Sequence, residues 1–171
     1  MLSINIKKNS LRGVATYIHR TYTSPMSSSS QKLLALLNDS VINCIKDFTA
    51  VSNMVELMKN LDPYLRDHAN EEEKHLFPLL SELERNDRPC QSSVFAVSLQ
   101  LHQMERAHEE INQVLRILRF LSTDFTFRES ADSRLLEALQ LLEDLESSTN
   151  RHIHSQSTVL FPRIRNVLQG Y

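Results

Sequence analysis

The chain has 171 residues, enough for one domain with a sizeable core, and its content of 2 glycines and no tryptophan is unusual. Long, strongly periodic segments indicate an all-helical protein. The formal net charge of −2 gives no reason to expect a nucleic acid partner. The 2 cysteines, Cys44 and Cys90, form neither a disulfide framework nor a zinc motif, which is typical of a reducing compartment. No apolar run approaches the roughly 20 residues that cross a bilayer. We therefore expect a cytoplasmic protein without a membrane partner.

At the start of the chain we predict a flexible lead-in over residues 1–10 and a short helix over 11–22. Ser24 followed by Pro25 is typical of a helix start, with serine as the cap and proline in the first turn. Residues 1–38 lack acidic side chains, as organellar transit peptides do, but we favour the interpretation as a mildly basic first helix.

Three long helices follow, at about 52–85, 91–122 and 133–168, with a turn at 86–89 and a loop at 123–132. In each helix apolar residues alternate at spacings of three and four, as in the core seam of a bundle. Together with an apolar stripe from residue 31 onward, this predicts an all-α, antiparallel up-down four-helix bundle over residues 11–169, with a short N-terminal helical extension.

Two of these helices contain an imperfect repeat. Residues 68–80 read HANEEEKHLFPLL, and residues 152–164 read HIHSQSTVLFPRI. His68 thus matches His152, Glu72 matches Gln156, and Phe77-Pro78 matches Phe161-Pro162. The repeat predicts that two helices present metal ligands from opposite sides of the bundle, and that one of them has lost its charge.

The polar residues on the predicted core seams are His68, Glu72, His108, His152 and Gln156. Burying such a group without a partner costs about 1–3 kcal/mol. Residues four apart on a helix lie one above the other, so His68 and Glu72 can address the same point. Imidazole nitrogens with a carboxylate suit iron or manganese. The pattern predicts a metal site, and polar core side chains bonded to one another are the alternative.

Three segments of the sequence resemble those of hemerythrin-like domains. The resemblance is strongest to the di-iron family that repairs iron-sulfur centres after nitrosative or oxidative stress. The segments are residues 68–80, MERAHEEI at 104–111 and HIHSQSTVLFPR at 152–163, preceded by a tyrosine-containing segment at 17–23. The resemblance spans about residues 12–165. It does not include the cysteine-bearing N-terminal domain that many members of that family have.

The resemblance implies a site for two iron ions, held by four histidines and two bridging glutamates. Four of the six ligand positions carry matching residues, namely His68, Glu72, His108 and His152. Gln156 stands at the second glutamate, and Thr23 stands at the histidine of the first helix. Because neither substitute supplies the expected charge or nitrogen, the site could hold two ions, one or none.

Two further histidines are candidates for the missing ligand. His19 precedes Thr23 by one helical turn, and His75 follows His68 by one heptad on the same predicted seam. Gln156 could also coordinate through its amide oxygen, although it carries no charge.

The function that the resemblance implies is that of a non-haem iron protein. It would give iron to damaged iron-sulfur proteins or react with nitric oxide, oxygen or peroxide. The sequence contains no nucleophile–base pair and no glycine-rich phosphate loop, which favours an iron donor or sensor over a turnover enzyme. The alternative is a degenerate bundle with a lost or single-metal site, acting as a binding or regulatory module.

Overall fold

A computed structural model describes residues 10–41, 48–85, 89–125 and 133–171 of the chain. Within these ranges the regular structure is helical and contains no strand. The α-helices are α1 (Leu11–Ile18), α2 (Ser24–Val41), α3 (Phe48–Glu71), α4 (Phe77–Arg85), α5 (Gln91–Leu121), α6 (Ser133–Ser155) and α7 (Phe161–Leu168). Three consecutive pairs, α1–α2, α3–α4 and α6–α7, are joined by the π-helical turns π1 (His19–Thr23), π2 (Glu72–Leu76) and π3 (Gln156–Leu160), respectively.

These segments form four bundle helices, because each π turn continues its neighbours without leaving helical dihedral angles. The bundle helices are α1-π1-α2, α3-π2-α4, α5 and α6-π3-α7. The start of the first packs on the end of the second, α1 against α4, and its later part packs on α3. The same alternation brings α4 against the start of α5, and α5 against α7. The predicted antiparallel four-helix bundle is therefore confirmed.

The prediction that Ser24 caps a new helix is wrong. Ser24 has φ −61° and ψ −44°, and its backbone N–H donates to the carbonyl of His19, so the helix continues through it. The helix begins instead at Leu11, where the Ser10 hydroxyl accepts a hydrogen bond from the Gly13 N–H at 2.9 Å. The predicted N-terminal extension is thus the first part of the first bundle helix.

The core consists of two apolar clusters with a polar layer between them. One cluster includes Leu65, Ile111 and Leu145, and the other includes Leu76, Met104 and Leu160. Between them lie buried polar side chains, namely His19, Thr23, His68, Glu72, His108, His152 and Gln156. The two apolar clusters therefore shield this layer from water along the bundle axis.

Several predictions fall outside the described residues. These are most of the lead-in (1–9), most of the turn (86–88), most of the loop (126–132) and Cys44. Among the described helices, none is both long and apolar enough to cross a membrane.

Candidate metal centre

Each π turn begins with a side chain of the polar layer and ends just before a residue–proline pair. The closing bonds run from the backbone N–H of Ser24, Phe77 and Phe161 to the carbonyls of His19, Glu72 and Gln156, respectively. The next residue is proline in all three cases, and proline has no N–H and clashes with the carbonyl four residues earlier in an α-helix. The wider turn accommodates the proline. Such turns are frequent at functional sites.

Three histidines from different helices meet in the polar layer. His68, His108 and His152 are buried, and one ring nitrogen from each lies within 4.8 Å of the others. The Nε2 atoms of His68 and His152 are 3.1 Å apart. Nitrogen ligands about 2.0–2.1 Å from one cation lie roughly 3 Å from each other. The cluster therefore has the dimensions of a site for a single cation.

Glu72 supplies the negative charge beside this cluster. Its Oε1 atom lies 3.3 Å from Nε2 of His152 and 3.7 Å from Nε2 of His68, and the side chain is fully buried. Burial alone would raise the pKa of Glu72, but the charges of His152, His68 and His19 and a hydrogen bond from His19 together lower the pKa to about 2. The group is thus a carboxylate at neutral pH.

The histidines of the cluster favour their neutral form, which leaves nitrogen lone pairs for a metal. Burial lowers the pKa of all three, that of His108 to about 2 and that of His152 to about 4. The charges of His68 and His152 lower the pKa of His108 further, and the charge of His68 does the same to His152. Within the described part of the chain, Nδ1 of His68, both ring nitrogens of His108 and Oε1 of Gln156 have no hydrogen-bond partner. Buried polar atoms seldom remain unpaired. The donor set therefore fits a bound cation.

His19 reaches the site, but through Glu72. Its Nδ1 lies 2.7 Å from Oε2 of Glu72, and its Nε2 lies 3.0 Å from Oε1 of Glu73. Burial would lower the pKa of His19, but hydrogen bonds and charges from the two glutamates outweigh it and raise the pKa. With both ring nitrogens on carboxylates, His19 presents no free nitrogen to a metal in this arrangement.

Thr23 lies behind His152. Its Oγ1 atom is 3.1 Å from Nδ1 of His152, the nitrogen opposite the one that faces His68 and Glu72. Histidines that bind a metal through one nitrogen usually donate the other N–H to an oxygen, which fixes the ring. At the position where the resemblance implies a histidine ligand, the chain thus has a group that orients another histidine.

The prediction that His75 shares the seam of His68 is wrong. His75 is exposed, and its Nε2 lies 3.8 Å from a carboxylate oxygen of Glu71. A π turn holds one residue more than an α turn, so Leu76 takes the buried position instead. The same shift buries Leu160, whereas Val159, where a continued α-helical period would place the core residue, is only partly buried.

The contact of His19 with Glu72 has a sequence signal that the repeat analysis missed. His19 precedes Pro25 by the same spacing that separates Glu72 from Pro78 and Gln156 from Pro162. The His19 segment is therefore a third copy of the pattern, and its polar residue faces the same layer. The structure brings together the predicted residues His68, Glu72, His108, His152 and Gln156, and their role as metal ligands stays a prediction.

Comparison with known proteins agrees with this geometry. The family described as hemerythrin HHE cation binding domain matches residues 31–164, a range that holds the three histidines and Glu72. The chain is also 20% identical, over 162 residues, to the iron-sulfur cluster repair protein ScdA from two strains of Staphylococcus epidermidis. That similarity covers 95% of this chain and 70% of the relative. Because the family match extends over most of the sequence, the chain belongs to the hemerythrin HHE cation binding domain family.

Proposed function

We propose that this protein binds iron through His68, Glu72, His108 and His152, and that it serves in the repair of iron-sulfur centres or in the response to nitric oxide or oxidative stress. The observation that carries the proposal is the convergence of three buried histidine nitrogens within 4.8 Å beside a buried carboxylate. The family supports a cation, and the relative named for iron-sulfur cluster repair supports the role. Damaged iron-sulfur proteins and small oxidants or diatomic gases are the proposed partners.

Each residue has a separate task in this site. The three histidines hold the ion, and Glu72 offsets part of its charge. Thr23 orients His152, and the apolar clusters keep bulk water out along the bundle axis. A bound iron ion would supply redox chemistry and a position for a small ligand.

A single ion fits the described residues better than two. The Gln156 amide is neutral, and its Nε2–H donates to Oε1 of Glu72. His19 has both nitrogens on carboxylates, and Thr23 is bonded to His152. The residues that would surround a second ion are therefore already bonded to other side chains of the site or beside it. They also offer less negative charge than two bridging carboxylates would.

Metal analysis after anaerobic loading with ferrous ion tests the proposal. We expect about one iron per chain and a higher melting temperature, because the ion binds only the folded state. His68→Ala should abolish both, whereas His154→Ala, which changes an exposed histidine outside the cluster, should change neither. Less than about 0.2 iron per wild-type chain, with no change in melting temperature, would contradict a one-ion site.

A second candidate is a metal-free bundle that acts as a binding or regulatory module. It is favoured by the contacts that the polar layer makes within itself, such as Thr23 with His152 and Gln156 with Glu72. The double variant Thr23→His, Gln156→Glu distinguishes the two. If only the double variant takes up iron, the wild-type chain is a degenerate member, whereas iron uptake by the wild type excludes this candidate.

A further inference from the structure

A cleft of about 420 Å³ opens beside the metal centre, between α5 and the junction of α6 with π3. It is lined by residues that include His102, Glu105, His108, Glu109 and Ser157, and also by the cation Arg106, which pairs with Glu110. The cleft lies outside the two apolar clusters, and no part of the proposed function accounts for it.

His108 belongs to both the cleft and the metal centre. The side chain lines the cleft, and a ring nitrogen lies within 4.8 Å of those of His68 and His152. Its exposed fraction is 3%, and neither ring nitrogen has a hydrogen-bond partner among the described residues. Since neither nitrogen is engaged, the imidazole can coordinate a cation from the cleft side or from the interior side. His108 therefore separates the cleft from the metal centre.

The cleft also carries groups that attract divalent cations. His102, Glu105 and Glu109 are three and four residues apart on α5 and therefore lie along one face of the helix. Glu105 is engaged by Arg165, but His102 and Glu109 form no hydrogen bond or ion pair with any residue that the structure describes. Imidazole and carboxylate are suitable ligands for ferrous ion.

The other sides of the centre are less open to an ion. Along the bundle axis an ion would have to cross apolar side chains, where a charge without partners is strongly disfavoured. On the side of the first bundle helix, His19 is held between Glu72 and Glu73.

We propose that this cleft is the path by which a divalent cation reaches the three-histidine centre, with His102 and Glu109 as transient ligands. His108 then contacts the ion from the cleft side before the ion settles among the three rings. This inference rests on the proposed function, since it assumes a metal at the centre.

The test is the rate at which metal-free protein takes up Co²⁺, followed by its absorption in a stopped-flow instrument at low ionic strength. We expect Glu109→Lys to slow uptake about tenfold, because charged clefts raise association rates by that much or more. Ser157→Tyr, which narrows the cleft without changing its charge, should also slow uptake. Asp144→Lys makes the same charge change at an exposed site on α6 that does not line the cleft, and it should load at the wild-type rate.

The reverse reaction provides a second criterion. A residue on the path changes entry and exit equally, so in Ser157→Tyr the removal of Co²⁺ by a chelator should slow by the same factor, with stoichiometry and Kd unchanged. If Glu109→Lys and Ser157→Tyr take up Co²⁺ at the wild-type rate, the cleft is not the path of the ion. The proposed metal centre is unaffected by that result. The same holds if Glu73→Gln alone slows uptake, since the ion would then enter beside His19. A wild-type chain that binds no Co²⁺ or Fe²⁺ would overturn both proposals.

Discussion

At the scale of single residues, His152 shows how the chain fixes a ligand. Its Nε2 atom faces His68 and Glu72, while its Nδ1 atom meets the Thr23 hydroxyl at 3.1 Å. If Nε2 is to keep its lone pair for a metal, Nδ1 must carry the proton and donate a hydrogen bond. The Thr23 hydroxyl is in place to accept that hydrogen bond and so to hold the ring in the orientation that can bind a metal.

Thr23→Val removes this acceptor while keeping the shape of the side chain. We expect the affinity for Fe²⁺ to fall by about 10–100-fold, the usual effect of losing such an outer hydrogen bond. Thr23→Ser keeps the hydroxyl and should stay near the wild-type affinity. Competition with a metal-binding dye measures the difference, and equal affinities for Thr23→Val and wild type would show that the contact does not orient His152.

Cys90 permits a prediction about pH at the residue scale. Hydrogen bonding with the hydroxyls of Ser92 and Ser93, and a hydrogen bond from the Ser93 backbone, lower the pKa of the exposed Cys90 thiol to about 7. The reactive thiolate is therefore present above about pH 7 and is lost as the pH falls below it. Ser92→Ala should raise the pKa of the thiol and shift the alkylation profile to higher pH.

This measurement is best made in a Cys44→Ser background, where Cys90 is the remaining thiol of the chain. Ser98→Ala is the matched control, because that hydroxyl donates to the Val94 carbonyl and not to Cys90. An unchanged profile in Ser92→Ala would mean that the serine hydroxyl does not stabilise the thiolate.

At the scale of elements, the helices could be predicted because their apolar spacing is regular. On α5 all seven residues at the seam spacing are buried, namely Val97, Leu101, Met104, His108, Ile111, Leu115 and Leu118. The meeting of His68, His108 and His152 followed from the same regularity. Besides the helix start at Ser24, the prediction failed beyond Glu72 and Gln156, where an α-helical period was continued through a π turn. The period of the seam cannot reveal such a turn. A polar side chain six residues before a proline marks each of the three turns, whereas Pro63, which follows apolar Leu57 at that spacing, lies in α3 without one.

The shifted register can be tested by a pair of adjacent truncations. Leu76 is fully buried in the second apolar cluster, so Leu76→Ala should lower the free energy of unfolding by about 2–5 kcal/mol. His75 is exposed, and His75→Ala should change it by no more than about 0.5 kcal/mol. Urea unfolding of the metal-free protein gives both values. If the helix were an uninterrupted α-helix, His75→Ala would instead cause the larger loss of unfolding free energy.

At the scale of the whole molecule, the polar layer divides the apolar interior into two clusters and interrupts the packing between them. Without a metal, the layer buries four polar atoms that have no partner among the described residues. Each such atom weakens the folded state, because it gives up hydrogen bonds to water and gains none. A bound ion would satisfy these atoms, so stability and metal occupancy should be linked.

His108→Leu separates these two contributions. Leucine is apolar and similar in size, so it should raise the unfolding free energy of the metal-free protein by about 1 kcal/mol, because two unpaired nitrogens disappear. The same change removes a ligand. Ferrous ion at a hundred times its Kd should stabilise the wild type by about 2.7 kcal/mol, and it should stabilise the variant far less.

Met104→Leu is the matched control, since it alters a buried residue one helical turn away without touching a ligand. It should keep the full metal-dependent stabilisation. Denaturant unfolding with and without ferrous ion measures all three proteins. If metal-free His108→Leu were clearly less stable than the wild type, His108 would have partners in the folded chain. The polar layer would then be a satisfied hydrogen-bond network that persists without an ion, because only an unsatisfied layer gains from losing its histidine.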